Sequence, residues 1–258
     1  MKLATDFAKF LIENKALQFG DFTTKSGRSS PYFINFGILH QASVLRNLAK
    51  FYADWIRSHP HAKKLRTTAT QSSSIHKKTQ QQPFNVIFGP AYKGIPLAIA
   101  LTLVLSTDAN THLLGYAFDR KEAKLHGDGG SIVGTDLSAS PKKVLLVDDV
   151  LTSGLSLKNA IETIRSAAPR TEIVGIVVGV DREEQAFSDP SVSARKKLEM
   201  MYGIPVFSIT TIRQILALND DCHWFSEEVK LALETYLENH IPTTSPALTS
   251  PAAQTQTL

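Results

Sequence analysis

Along this chain the spacing of apolar positions switches repeatedly between the period of a helix and that of a strand. Phe7, Phe10, Leu11 and Asn14 lie about one turn apart and predict a helix from Thr5 to Leu17. Phe22 to Thr24 and Tyr32 to Asn35 read as short extended pieces on either side of the turn Ser26-Gly27-Arg28-Ser29-Ser30-Pro31. A helix from Val44 to Ile56, a strand from Asn85 to Phe88 and a helix from Ile95 to Leu105 follow, the last entered after Gly94. Leu113 to Phe118 predicts a strand that gives way to a polar loop reaching about Asp136. Val144 to Val147 is a buried strand, and Leu157, Ile161 and Ile164 mark one face of the helix after it. Ile173 to Val180 is a fully apolar strand, and Val206 to Ile209 with two late helices completes the pattern. Strands alternating with helices predict an α/β fold, a mainly parallel sheet covered on both faces. Ligands then belong beyond the carboxyl ends of the strands.

Composition narrows the setting. The chain has 258 residues, 43% of them hydrophobic, enough for one large domain with small additions. Cys222 is the only cysteine, so no intrachain disulfide is available. The longest apolar stretch, Pro96 to Leu105, is about half a membrane span, and Lys2, Asp6, Lys9 and Glu13 interrupt any signal-peptide core. A cytoplasmic enzyme with no membrane partner is expected. The net charge of +4 is local in origin: residues 57–82 carry six Lys or Arg and no acidic residue, and without them the balance is −2. That stretch is rich in Ser, Thr and Gln, has no hydrophobic period, and reads as a disordered basic insertion rather than a nucleic-acid surface. Residues 241–258 carry no charge and three prolines, which predicts a flexible tail after one domain spanning 1–240.

The candidate chemistry sits where strands end. Asp148 and Asp149 close the run Val144-Leu145-Leu146-Val147, and Val150-Leu151-Thr152-Ser153-Gly154-Leu155-Ser156 leads into a helix. Main-chain N–H groups at a helix start, with hydroxyls from Thr152, Ser153 and Ser156, suit a phosphate. The two carboxylates would repel it and must face ribose hydroxyls or hydrated Mg²⁺. Gly89-Pro90-Ala91-Tyr92-Lys93-Gly94 is a second strand-to-helix turn; its glycines suit close approach of a ligand or positive φ and Lys93 suits a phosphate, or it is an ordinary surface turn with a lysine. Arg120, Lys121, Lys124 and His126, followed by three glycines in four positions, read either as a cationic lid over a polyanion or as a solvated loop. Lys25 precedes the aromatic pair Tyr32-Phe33, which either stacks on a planar base or packs in the core. Arg182, just past an apolar strand, can meet a substrate carboxylate or pair with Asp181 or a nearby Glu.

The Asp-Asp turn resembles the phosphoribosyl pyrophosphate (PRPP) signature of type I phosphoribosyltransferases. Together with Leu17-Gln18-Phe19-Gly20-Asp21-Phe22, Lys25-Ser26-Gly27-Arg28, the Gly89–Gly94 turn, Arg120-Lys121-Glu122-Ala123-Lys124 with His126-Gly127, and Asp181-Arg182, it is similar in order to orotate phosphoribosyltransferases over residues 3–238. The resemblance implies the type I fold with a small N-terminal hood and a flexible cationic lid. It also implies Mg²⁺-dependent transfer of the phosphoribosyl group from PRPP to orotate by a homodimer. Thr152 to Ser156 would hold the 5′-phosphate and Asp148 and Asp149 the ribose hydroxyls. Lys25, Tyr92 and Lys93 would line the PRPP site, while Phe33, Ile34, Thr152 and Arg182 would hold orotate. Lys121 would serve its own subunit; Arg120, Lys124 and His126 would serve the neighbouring one, with Lys124 the chief catalytic residue. Leu155 stands where the family usually has threonine, and Ile34 where it has a second aromatic. A PRPP-sensing regulator would lack the lid, and a purine phosphoribosyltransferase would lack Arg182 and the Lys25 segment.

Overall fold

The computed structural model describes residues 2–23, 29–58, 84–107, 114–124 and 130–242, with main chain alone at 122–124. Its centre is a six-stranded sheet formed by β3 (Val86–Phe88), β4 (Gly115–Lys124), β5 (Gly130–Gly134), β6 (Lys143–Leu151), β7 (Glu172–Asp181) and β10 (Val206–Thr211), ordered β10-β7-β6-β3-β4-β5; β8 (Gln185–Ala186) and β9 (Asp189–Ser193) form a separate antiparallel pair. All neighbours are parallel except the edge pair β4–β5. The predicted α/β class, with a mainly parallel sheet, is therefore correct.

The central strands feed two cores because successive side chains face opposite ways. Leu145 and Val147 of β6, with Val177 of β7, join the core beneath α1 (Lys2–Glu13), α2 (Ala42–Ser58) and α3 (Gly94–Leu105). Val144 and Leu146, with Ile176 and Val178, join the core beneath α4 (Leu155–Ala167) and α5 (Ala194–Tyr202). Burial on both faces is why these strands lack a polar alternation.

Several boundaries differ from those expected. Strand β6 does not stop before the acidic pair but runs on to Leu151, because Asp148, Val150 and Leu151 keep their parallel partners Val178, Val180 and Asp181. The polar segment after Phe118 is not simply a loop: β4 continues to Lys124, and β5 returns antiparallel, pairing Phe118 with Val133 and Asp119 with Ile132. Edge pairing is made by main chain and needs no apolar run, so periodicity did not reveal it. Helix α1 ends at Glu13, where Lys15 takes φ 57°, and Leu17 instead opens β1 (Leu17–Thr23).

Strand β1 pairs antiparallel with β2 (Ser29–Ile34), Leu17 facing Ile34 and Phe19 facing Tyr32. This hairpin is the N-terminal hood. It is held by the end of the chain, where two helices follow β10: α6 (Ile212–Cys222) and α7 (Glu227–His240). Phe19 lies 4.2 Å, ring centre to ring centre, from Phe225, and Tyr32 meets Tyr236 edge-on at 5.7 Å. Ile241, placed by sequence in the tail, is buried in the main core. Arg57 and Ser58 likewise belong to α2, Arg57 lying 3.3 Å from Asp54; residues 59–82 lie outside the described residues. Among the described residues no helix is long and apolar enough to cross a membrane.

Candidate active site

Because β3, β4, β6, β7 and β10 run parallel, their carboxyl ends lie on one side of the sheet. Asp148 and Asp149 stand near the end of β6, both buried. The pair is braced by its own backbone: Asp149 N–H donates to Asp148 Oδ1 at 3.0 Å, and Val150 N–H to Asp149 Oδ1 at 2.8 Å. Lys93 Nζ lies 3.1 Å from Asp149 Oδ2 and supplies the countercharge. Burial, reinforced by the neighbouring Asp149 charge, raises the Asp148 pKa well above the ordinary carboxylate range. Behind them Tyr52, fully buried on α2, donates its hydroxyl to the Asp148 carbonyl at 2.8 Å. A Cβ on Gly179 would come within 2.7 Å of that hydroxyl and 2.9 Å of the Asp149 carbonyl, so β7 has glycine where the brace passes.

The Gly89–Gly94 turn corrects one expectation. Neither glycine takes positive φ. A Cβ on Gly89 would overlap the Gly94 carbonyl, and one on Gly94 would lie 2.8 Å from the Gly89 carbonyl carbon. They are small for each other, allowing the strand end and helix start to touch. The turn presents Tyr92 and Lys93 outward, with Tyr92 68% exposed. Besides the Gly89 N–H, which donates to the Ala117 carbonyl at 3.0 Å, two side chains of β4 fasten it. Ala91 N–H donates to Asp119 Oδ1 at 2.6 Å, and Lys121 Nζ lies 5.1 Å above the Tyr92 ring. Arg120 follows Asp119 on the same arm and is half-buried; Lys124 pairs through its main chain with Gly130. Lys25 and His126 lie outside the described residues.

Helix α4 starts at the Thr152–Ser156 turn. Gly154 takes φ 84°, a left-handed conformation suited to glycine, and provides no side-chain cap. Helices α5, α6 and α7 are capped by Ser193, Thr211 and Ser226. The α4 start thus keeps main-chain donors for an anion, with Thr152 and Ser156 exposed and Ser153 half-buried beside them. Leu155 is 47% exposed and is not needed by the core. Val150 is half-buried and Leu151 buried: they carry the strand, and their side chains do not reach outward.

Past β7, Arg182 is 8% exposed and its main-chain N–H donates to Leu151 O at 3.1 Å, tying it to the end of β6. Of the partners open to it, Glu184 is the one found: Nε donates to Glu184 Oε1 at 2.9 Å, and Nη2 lies 2.7 Å from the same oxygen. The guanidinium carbon sits 4.5 Å from the centre of the Tyr32 ring. The aromatic pair divides by strand alternation. Tyr32 is buried and Phe33 is 43% exposed, stacked 5.5 Å from Phe22. Ile34 points back into the core.

Tyr52, Gly179, Glu184 and Tyr236 were not singled out in the sequence. Only Glu184, two positions from Arg182, had a local signal. The described residues contain no group of three or more side chains able to ligate a metal. Two adjacent carboxylates still fit Mg²⁺, which is commonly held by one or two carboxylates through water and substrate phosphates.

An acidic pair beside an uncapped helix start, at the edge of a mainly parallel sheet with a strand-turn-helix cation, defines a type I phosphoribosyltransferase. The phosphoribosyl transferase domain family matches residues 56–197. An orotate phosphoribosyltransferase of Bifidobacterium adolescentis is 40% identical over 240 residues, 91% of this chain and 96% of its own. The crystal structure of orotate phosphoribosyltransferase from Francisella tularensis superposes with a TM-score of 0.69 at 33% identity, covering 92% of this chain and 99% of that one. A UMP synthase structure from Leishmania donovani gives 0.65 at 26% identity, with 92% of this chain matching 42% of that one. The chain belongs to the orotate phosphoribosyltransferase family.

Proposed function

We propose that this enzyme transfers the 5-phosphoribosyl group of PRPP to orotate, yielding orotidine 5′-monophosphate and pyrophosphate, a step of pyrimidine nucleotide synthesis. The observation that carries the reading is the placement of Asp148–Asp149, the α4 start and Arg182 on adjoining strand ends. The α4 N–H groups with Thr152, Ser153 and Ser156 take the 5′-phosphate, and Asp148 and Asp149 take the ribose hydroxyls. Breaking the anomeric C–O bond builds oxocarbenium character on the ribose, which nearby carboxylates stabilise. Lys25, Lys93 and Lys121 neutralise phosphate oxygens, and Tyr92 lines the same side. Mg²⁺ entering with PRPP, through water to Asp148 or Asp149, would offset charge on the departing pyrophosphate. Arg182 meets the orotate carboxylate while Phe33 and the main chain at Ile34 border the ring. Orotate nitrogen is the nucleophile, so no serine or cysteine needs activating.

In this reading the enzyme is a cytoplasmic homodimer, and Arg120, Lys124 and His126 close over the neighbouring subunit's pyrophosphate. The cationic arm on β4 supports it, since Arg120 and Lys124 lie on the part of that strand that runs on past its pairing with β3. The test is loss of orotate absorbance with PRPP and Mg²⁺, against adenine and hypoxanthine as acceptors. Turnover with orotate alone is expected. Tight PRPP binding without turnover of any base would replace this reading with a PRPP-sensing regulator.

A further inference from the structure

Arg182 is held more firmly than a simple substrate contact requires. Glu184 Oε1 occupies its Nε and Nη2 side, and Tyr236 donates its hydroxyl to that same oxygen at 2.8 Å. Tyr236 belongs to α7, more than fifty residues further along the chain, and its hydroxyl also lies 3.4 Å from Nη2. The guanidinium carbon lies over the face of the Tyr32 ring, from the hood, 4.5 Å from its centre, and Tyr236 meets Tyr32 edge-on. Sheet, hood and C-terminal helix therefore converge on one cation. A guanidinium has five donors, and Glu184 engages one side of the fork, leaving the Nη1 edge for a second acceptor. The Tyr32 hydroxyl is buried with no acceptor for its proton, and burial pushes its pKa far up, so it stays a neutral donor. An unpartnered donor beside a half-engaged guanidinium suits a ligand oxygen.

We infer that Glu184 and Tyr236 are positioning residues that aim Arg182, and that Tyr32 adds a donor to the carboxylate Arg182 receives. This rests on the proposed binding of orotate at Arg182. Glu184 cannot act by attraction, because its charge opposes that of a substrate carboxylate. Its contribution is orientation: with the fork fixed, the orotate nitrogen is held against the anomeric carbon, where small displacements are costly to rate. Removing its charge should thus slow chemistry without weakening orotate binding.

The test compares Glu184→Gln, Tyr236→Phe and Arg182→Ala by single-turnover rate, by KM for orotate and for PRPP, and by melting temperature. Glu184→Gln should lower the single-turnover rate about tenfold or more, leaving the orotate KM unchanged or lower and the PRPP KM unchanged. Tyr236→Phe, which removes one hydroxyl and tests the idea should Glu184→Gln not fold, should slow the same step about threefold or more. Arg182→Ala should raise the orotate KM. Unchanged single-turnover rates in both positioning variants, with the Arg182 variant impaired, would overturn this inference and leave the orotate site intact. An unchanged orotate KM in Arg182→Ala would remove the underlying reading itself.

Discussion

The hydroxyl of Tyr52 is bonded to the main-chain carbonyl of Asp148, at 2.8 Å, across 96 residues of chain. A helix of one core layer thereby fixes the strand end that carries the acidic pair. Burial and the two nearby carboxylates raise the Tyr52 pKa, so the group remains a neutral donor. Tyr52→Phe should cost about 1 kcal/mol of stability. Gly179→Ala should cost more, about 1–3 kcal/mol, because the new methyl meets Tyr52, the Asp149 carbonyl and Phe36 within 3 Å. In the double variant the penalties should sum to less than the two singles, since the lost hydroxyl makes room. Urea denaturation of the four proteins measures this coupling.

Asp119 ties the cationic arm to the Tyr92–Lys93 turn through Ala91 N–H. Asp119→Ala should raise the PRPP KM about tenfold, the equivalent of losing one charge-assisted hydrogen bond, while orotate KM stays near the parent value. Asp119→Asn, which keeps an accepting oxygen, should recover most of the loss. Initial rates with each substrate varied in turn decide it.

Asp181 is buried at the end of β7, and burial pushes its pKa up to about 6 from an ordinary 3.8. The folded state therefore binds the proton more tightly than the unfolded chain. The stabilisation from protonation is complete below about pH 3.8 and is lost as pH rises through about 6. Asp181→Asn keeps an oxygen for Glu183 N–H and removes the buried charge. It should raise stability by roughly 1–3 kcal/mol at pH 8 and by little at pH 4. Thermal melts across that range would show whether the difference closes on acidification.

In the proposed homodimer, a lid serving the neighbouring subunit would make Lys124 and Asp149 members of different halves of one site. Lys124→Ala and Asp149→Asn should each be nearly inactive. Dissociated and reassociated together in equal amounts, they should regain about one quarter of the parent rate, because half the dimers would hold one intact site. No recovery, with mixed dimers shown by mass, would place the lid over its own subunit.

Much of the site was readable before folding because its chemistry is local. Asp148, Asp149 and Thr152 to Ser156 adjoin in the chain, and a strand-turn-helix brings contiguous residues together regardless of what surrounds them. The Lys93 turn was legible for the same reason, although the reason for its glycines was not: Gly89 and Gly94 answer each other's backbone, a contact visible only once strand and helix cross. The roles within Tyr32-Phe33-Ile34 were also ambiguous. Alternation along β2 sends Tyr32 and Ile34 inward and Phe33 outward, and nothing in three apolar residues says which face is covered.

The α/β class, the parallel sheet implied by alternating strands and helices, and the strand-turn-helix at the acidic pair were written in the linear pattern, since each depends on period or on neighbours in the chain. What braces that turn came from packing. Tyr52 reaches Asp148, Asp119 reaches Ala91, and Tyr236 reaches Glu184 across separations of 96, 28 and 52 residues. Such contacts leave no periodic trace, because a single hydroxyl or carboxylate finds its partner only when packing of the apolar layers has set the distance between them.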